Sequence, residues 1–180
     1  MSKKTLAIIA ILLFSFIIRV NNLSTNPAGF FADEASVGID AKLIGETLRD
    51  RHNEFLPLFF KGFNFDNVSP YHVYLTVPFV KLFGLNETAV RLTPVFWSII
   101  EIFIFYLLLS ELFPISIALL GTLLLSISPW HFHLSRINMG DFYSWTLLTL
   151  TAYFFLVRYT KKNNRKICSF ISCVYRSGNI

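Results

Sequence analysis

The sequence is poor in charge and poorer still in cysteine. Charged residues make up 15% of its 180 positions, and the only cysteines are Cys168 and Cys173. Two cysteines cannot staple a chain of this length, and their spacing fits neither a redox pair nor a zinc knuckle. The shortage of charge excludes a heptad coiled coil, which needs charged flanking positions. With 54% hydrophobic residues, disorder is excluded as well. Too few polar groups remain to cover a soluble globule. The abundant component is apolar and aromatic, with 20 phenylalanines, and the class that survives is an integral membrane protein.

Lysine and arginine number 16 against 11 acidic residues, a formal net charge of +5. That excess would suit nucleic acid if it covered a face. Instead it gathers beside apolar runs: Lys3 and Lys4 precede the first, while Arg158, Lys161, Lys162, Arg165 and Lys166 follow the last. This is the positive-inside pattern of cytoplasmic flanks, and no basic and aromatic platform lies elsewhere, so no nucleic-acid partner is expected.

Four apolar runs, 6–20, 92–112, 115–130 and 142–159, read as membrane spans. The first is slightly short, with Arg19 placed to snorkel at its end. No small-x-small cleavage site follows in 21–32, which favours an uncleaved span over a signal peptide. A fifth apolar stretch, 71–83, is shorter and interrupted by Pro78, and reads as re-entrant or interfacial. Charge supports that count: four spans put both basic clusters on the cytoplasmic side, whereas five would separate them. The loop over about 21–88 and the turn 131–141 then face outward. In the loop, Val37, Ala41, Ile44 and Leu48 form one helical stripe opposite Asp40, Lys42, Glu46 and Arg49, predicting an amphipathic helix on the membrane surface. The expected fold is all-α and multi-spanning, with about four transmembrane helices. Residues 1–166 form the membrane part, and 167–180 form a tail without periodicity.

Three groups could carry chemistry. Asp33 and Glu34 place adjacent carboxylates just beyond the first span. Asp33 reads either as a plain N-cap, with Glu34 favouring the helix dipole, or as a general base at the membrane interface. The segment 128–141 holds His131 and His133, an H-x-H pair that lacks a third zinc ligand and suits an aromatic belt better. It also holds Arg136 and Asp141. Arg136, or Arg91 at the outer end of the second span, could hold a phosphate. Glu101 lies inside an apolar run, and an intramembrane carboxylate is a functional candidate by default. Asn22-Leu-Ser, Asn67-Val-Ser and Asn86-Glu-Thr match the glycosylation sequon.

The order of these features resembles a known family. Gly29-Phe-Phe-Ala-Asp33-Glu34-Ala35 follows a short first span. Leu56-Pro-Leu-Phe-Phe, Ser69-Pro-Tyr-His-Val-Tyr-Leu, Phe83-Gly84 with Ala89-Val-Arg91-Leu, and Leu125-Ser-Ile-Ser-Pro-Trp-His with Ser135-Arg136 come after it in turn. Together they are similar to GT-C glycosyltransferases of the protein O-mannosyltransferase and aminoarabinose transferase type, from about Lys3 to about Tyr159. The resemblance implies a transferase in the plasma membrane, working at the outer face with a polyprenyl-phosphate sugar donor and a protein, lipid or glycan acceptor. It implies Asp33 and Glu34 as the catalytic acids. Asp33 would deprotonate the acceptor hydroxyl in a single inverting displacement, Glu34 would position it, and Arg91 or Arg136 would neutralise the departing phosphate. The chemistry leaves room for a divalent metal, without a ligand set that the sequence defines. Ser69-Pro70 departs from the lysine-proline of the aminoarabinose transferases and argues against lipid A modification. The family continues for several hundred further residues, so the chain reads as its N-terminal portion. Two other readings stand beside this one: an inactive truncated membrane fragment, and part of a transporter or flippase with Glu101 as the key residue.

Overall fold

The computed structural model describes residues 3–62 and 67–162, apart from the side chains of 67–68, 140–142 and 158–162. The tail 167–180, with Cys168 and Cys173, lies outside the described residues, as does the side chain of Asp141. Seven helices and one small hairpin are present among the described residues: α1 Lys3–Val20, α2 Ala32–Thr47, β1 Phe60–Lys61, β2 Asn67–Val68, α3 Pro70–Phe83, α4 Glu87–Leu112, α5 Ile115–Ile127, α6 Pro129–Leu134 and α7 Gly140–Lys162. The two strands pair antiparallel, Phe60 opposite Val68.

Local chemistry sets the boundaries. Pro70 and Pro129 open α3 and α6, where a fixed φ suits the first helical turn and no N–H is missed. Asn86 joins α3 to α4: its Oδ1 accepts from the Ala89 N–H at 2.8 Å, and its Nδ2 donates to the Phe83 carbonyl at 2.8 Å. The run 115–130 is not one helix, because the chain turns extended at Ser128 before Pro129 starts α6. The 13 residues of α5 reach about 20 Å, less than the ~30 Å hydrocarbon core. Among the described residues α4 alone is both long and apolar enough to cross a bilayer, while α5 and 143–157 are apolar but shorter.

Buried positions of the long helices include many small or hydroxylic residues, Ser15, Ser98, Ala118, Thr122, Ser126 and Thr146, beside apolar ones such as Val95 and Ile102. The exposed positions are large and apolar, including Leu13, Leu120, Leu148 and Phe155. Buried hydroxyls bond back to their own helices, Thr122 to the Ala118 carbonyl at 2.7 Å and Ser126 to that of Leu123 at 2.7 Å. Small residues let helix backbones approach, and large apolar side chains on the outside are the arrangement expected of membrane helices.

The segment between α1 and α4 packs in the ordinary way. Val37, Ala41 and Ile44 of α2 meet Phe60, Val73, Val80 and Val90 in a closed apolar core. Two features of the expected amphipathic helix are corrected. Leu48 lies past the helix end, in the left-handed region and half exposed, so it leaves the stripe. Asp40 is buried rather than solvated, because Arg51 reaches back from the following loop and clasps it with a bond from Nε to Oδ1 at 2.9 Å. A buried carboxylate is tolerable when paired in this way.

Gly38 holds α2 against α4. A Cβ there would come within 2.9 Å of Val90 Cγ2 and 3.0 Å of Leu85 Cδ1. Gly38→Leu is expected to overpack this contact and cost about 1–3 kcal/mol. Denaturation of the purified chain in detergent checks it, with Ile39→Leu on the exposed side of the helix as a control that leaves stability unchanged.

Candidate active site

A polar layer crosses the structure where the loop 21–31 meets α4 and the α6–α7 turn. Its centre is a buried ion pair. Arg91 donates from Nε to Glu34 Oε1 at 3.2 Å and from Nη2 to Oε2 at 3.1 Å, and both side chains are 0% exposed. The remaining donors of Arg91 go to the carbonyls of Leu23 at 3.2 Å, Pro27 at 3.1 Å and Gly29. All five N–H groups of the guanidinium are therefore satisfied by protein. Glu34 Oε1 also accepts from the Asn138 N–H at 3.1 Å. The Asn138 side chain donates to Thr76 Oγ1 at 2.8 Å and to the Val90 carbonyl at 3.0 Å, and accepts from the Tyr143 hydroxyl at 3.0 Å.

Asp33 and Glu34 sit side by side in α2 but in opposite environments. The N-cap position is Phe31, whose N–H donates to Glu34 Oε2 at 3.4 Å, so Asp33 is not the cap. Asp33 occupies the first turn, is exposed, and makes no hydrogen bond or ion pair with any described residue. One turn of helix thus carries a buried anchor next to a free carboxylate. The anchor fixes the backbone from which the free group projects.

Arg136 is also tied to the scaffold. It donates to the carbonyls of Ile18 at 3.1 Å, Asn21 at 2.9 Å, Asn22 at 3.1 Å and Asn26 at 2.6 Å, closing the C-terminal end of α1 and the turn after it. Burial, and then the charge of Arg91, push its guanidinium below the ordinary arginine range. No carboxylate pairs with it among the described residues. Both guanidinium groups, expected to hold a phosphate, are bonded to the scaffold in this structure. Arg19 departs from its expected role as well. It does not snorkel but is fully buried, bonded to Ser15 Oγ at 2.6 Å, Ser135 Oγ at 3.0 Å and the Ser126 carbonyl at 3.0 Å. Arg19 and Arg136 both lie against the Phe132 ring, 5.6 and 5.2 Å from its centroid.

The two histidines separate. His131 is buried beside Arg19 and Glu101, while His133 is exposed, since residues two apart on a helix point to different sides. Glu101 is buried and accepts from Thr146 Oγ1 at 3.1 Å. Among the described residues no three His, Cys, Asp or Glu side chains converge on a metal position. Sequence reasoning missed Asn138, Thr76 and Tyr143 altogether. The available signal was a lone asparagine beside a predicted membrane boundary, where an unpaired amide is costly.

Comparison with known proteins gives one match. Residues 67–174 fit the family model described as Dolichyl-phosphate-mannose-protein mannosyltransferase. The match spans α3 to α7 and contains Arg91, Glu101, Arg136 and Asn138, while the acidic pair precedes it. No curated protein and no solved structure matches the chain.

The Glu34–Arg91 pair has a measurable signature that needs no substrate. Arg91→Ala leaves a buried carboxylate alone and is expected to cost about 3–5 kcal/mol, whereas the double variant Glu34→Leu/Arg91→Met should recover much of that loss. Thermal and denaturant unfolding of donor-free protein reads both. An Arg91→Ala chain as stable as the parent would remove the pair from the scaffold.

Proposed function

The chain belongs to the dolichyl-phosphate-mannose-protein mannosyltransferase family of GT-C membrane glycosyltransferases, and on that premise we propose that it takes part in sugar transfer from a polyprenyl-phosphate donor to an acceptor hydroxyl at the outer face of the membrane. The observation that carries this reading is Asp33: an exposed carboxylate with no protein partner among the described residues, on a helix start immobilised by its neighbour Glu34. In the proposed step Asp33 takes the proton of the acceptor hydroxyl, and that oxygen attacks the anomeric carbon. The bond from this carbon to the phosphate oxygen breaks, polyprenyl phosphate leaves with the electron pair, and the configuration inverts. Glu34 is a positioning residue. Arg136, held by carbonyls alone, keeps a positive charge beneath the loop 21–31 and favours the departing phosphate through its field rather than by contact.

We assign α1, α4, α5 with α6, and α7 as the membrane-crossing elements, with α2 and α3 lying on the outer surface. The apolar exposed faces of these helices support this, as do the basic residues that flank α1 and end α7. In a chain with Cys168 and Cys173 replaced by serine, an impermeant thiol reagent added from outside is expected to label Asn53→Cys and to spare Lys4→Cys. The opposite pattern would invert the topology.

Asp33→Asn tests the chemistry. It is expected to lower transfer by a factor of ~100 or more while leaving unfolding unchanged, because the side chain touches nothing that holds the fold. Transfer from a polyprenyl-phosphate sugar to acceptor, measured in the intact enzyme, decides it. Turnover equal to the parent would leave Asp33 without a catalytic role.

A further inference from the structure

A second polar cluster lies away from Asp33, among α1, α4, α6 and α7. Arg19 Nη2 lies 2.9 Å from His131 Nδ1, and His131 Nε2 lies 3.5 Å from Glu101 Oε2. Arginine has only donors, so Nδ1 accepts and the ring proton sits on Nε2, on the side of the ring nearer Glu101. Glu101 Oε2 receives the Thr146 hydroxyl too. Its other oxygen, Oε1, accepts no hydrogen bond from any described residue. Glu101 and His131 line a cavity of about 220 Å³ whose other walls are Leu125, Ser128, Leu134 and the rings of Trp130 and Trp145. Both tryptophans are largely exposed, Trp130 at 71% and Trp145 at 55%, and Trp145 lies on α7 with the exposed Leu147 and Leu148. The Ser128 hydroxyl also bonds to no described residue.

We propose that this cavity is a binding site for the head of a neutral, hydroxyl-bearing lipid that enters sideways from the bilayer. The volume is below the 300–1,000 Å³ usual for larger ligands, so it admits a head group and the first carbons of a chain. Glu101 Oε1 accepts the lipid hydroxyl, Ser128 is within the same wall as a second partner, and Leu125, Leu134 and the indole rings cover the carbons. A phosphate would place like charge against the carboxylate. A free sugar would leave most of its hydroxyls against apolar wall. Arg19 stands behind His131, 2.9 Å from its Nδ1, so a cation lies on the far side of the ring from Glu101. This site does not rest on the role assigned to Asp33.

Quenching of tryptophan fluorescence by brominated lipids tests the proposal. The full chain in lipid nanodiscs carries Trp97→Phe, which leaves Trp130 and Trp145 as the reporters. Brominated dodecanol, brominated dodecane and brominated dodecyl phosphate are compared at equal mole fraction in the bilayer. The alcohol is expected to quench saturably, at about tenfold lower mole fraction than the alkane, because a hydrogen bond to a charged group is worth about that factor. The phosphate should do no better than the alkane. Glu101→Gln is expected to keep alcohol binding and to admit the phosphate, since the amide can still accept a bond and no longer repels charge. Equal quenching by alcohol and alkane would reduce the cavity to an ordinary lipid-facing groove, and phosphate preferred by the parent chain would also overturn the proposal. A Glu101→Gln chain that still rejects phosphate would take the selectivity away from Glu101. Should that variant fail to fold, the three-probe comparison on the parent side chain still decides.

Discussion

Every part of the candidate site depends on the bidentate pair between Glu34 and Arg91. It is buried on both sides, and a buried pair is stable only when the remaining lone pairs and protons of both groups find partners. Arg91 meets that condition with three carbonyls from the turn 21–31, and Glu34 meets it with the N–H groups of Asn138 and Phe31. The pair therefore joins segments far apart in sequence: the turn after α1, the start of α2, the top of α4 and the turn before α7. Loss of either partner would release all four together. This explains why an exposed carboxylate can stand on α2 without partners of its own and still be held in place.

The same economy of polar groups extends through the helices. Three buried arginines, Arg19, Arg91 and Arg136, occupy positions where burial is costly, and each gives donors to backbone carbonyls, with Arg91 also pairing with Glu34 and Arg19 also meeting His131. The carbonyls concerned lie largely at the C-terminal end of α1 and in the turn beyond it, where unsatisfied acceptors accumulate. Arginine suits this task because its planar fork satisfies several acceptors at once. Many large apolar side chains meanwhile face outward, so small-residue contacts and these polar ties add to the buried apolar contacts that hold the helices.

Much of the architecture was legible. Helical class, the placement of long apolar helices at the two ends of a more polar segment, and the shortness of 71–83 follow from run length and from Pro78. The stripe Val37, Ala41 and Ile44 was also readable, because a period of 3.6 needs only local order. Other features were not. Asp40 carried every sign of a solvated residue until Arg51 folded back on it, a contact set by the path of the loop after α2. The stretch 115–130 reads as one span by hydropathy, and the extended turn at Ser128 before Pro129 divides it.

For the site, the sequence by itself determined which residues were costly to bury: Asp33, Glu34, Arg91, Glu101 and Arg136 stand out against apolar surroundings because a charge in such a setting needs a reason. It determined that Asp33 and Glu34 are neighbours at a helix start, since one short turn decides that. Only the tertiary structure decided which of the two is free. Their backbone environments are nearly identical, and the difference arises because the helix turns one side chain toward Arg91 and Asn138 and the other toward open space. It decided likewise that Arg91 and Arg136 bind carbonyls and that Glu101 meets His131 and Thr146. Those partners lie tens of residues away in the chain, and only the packing of helices against one another brings a donor and its acceptor within 3 Å or so of each other.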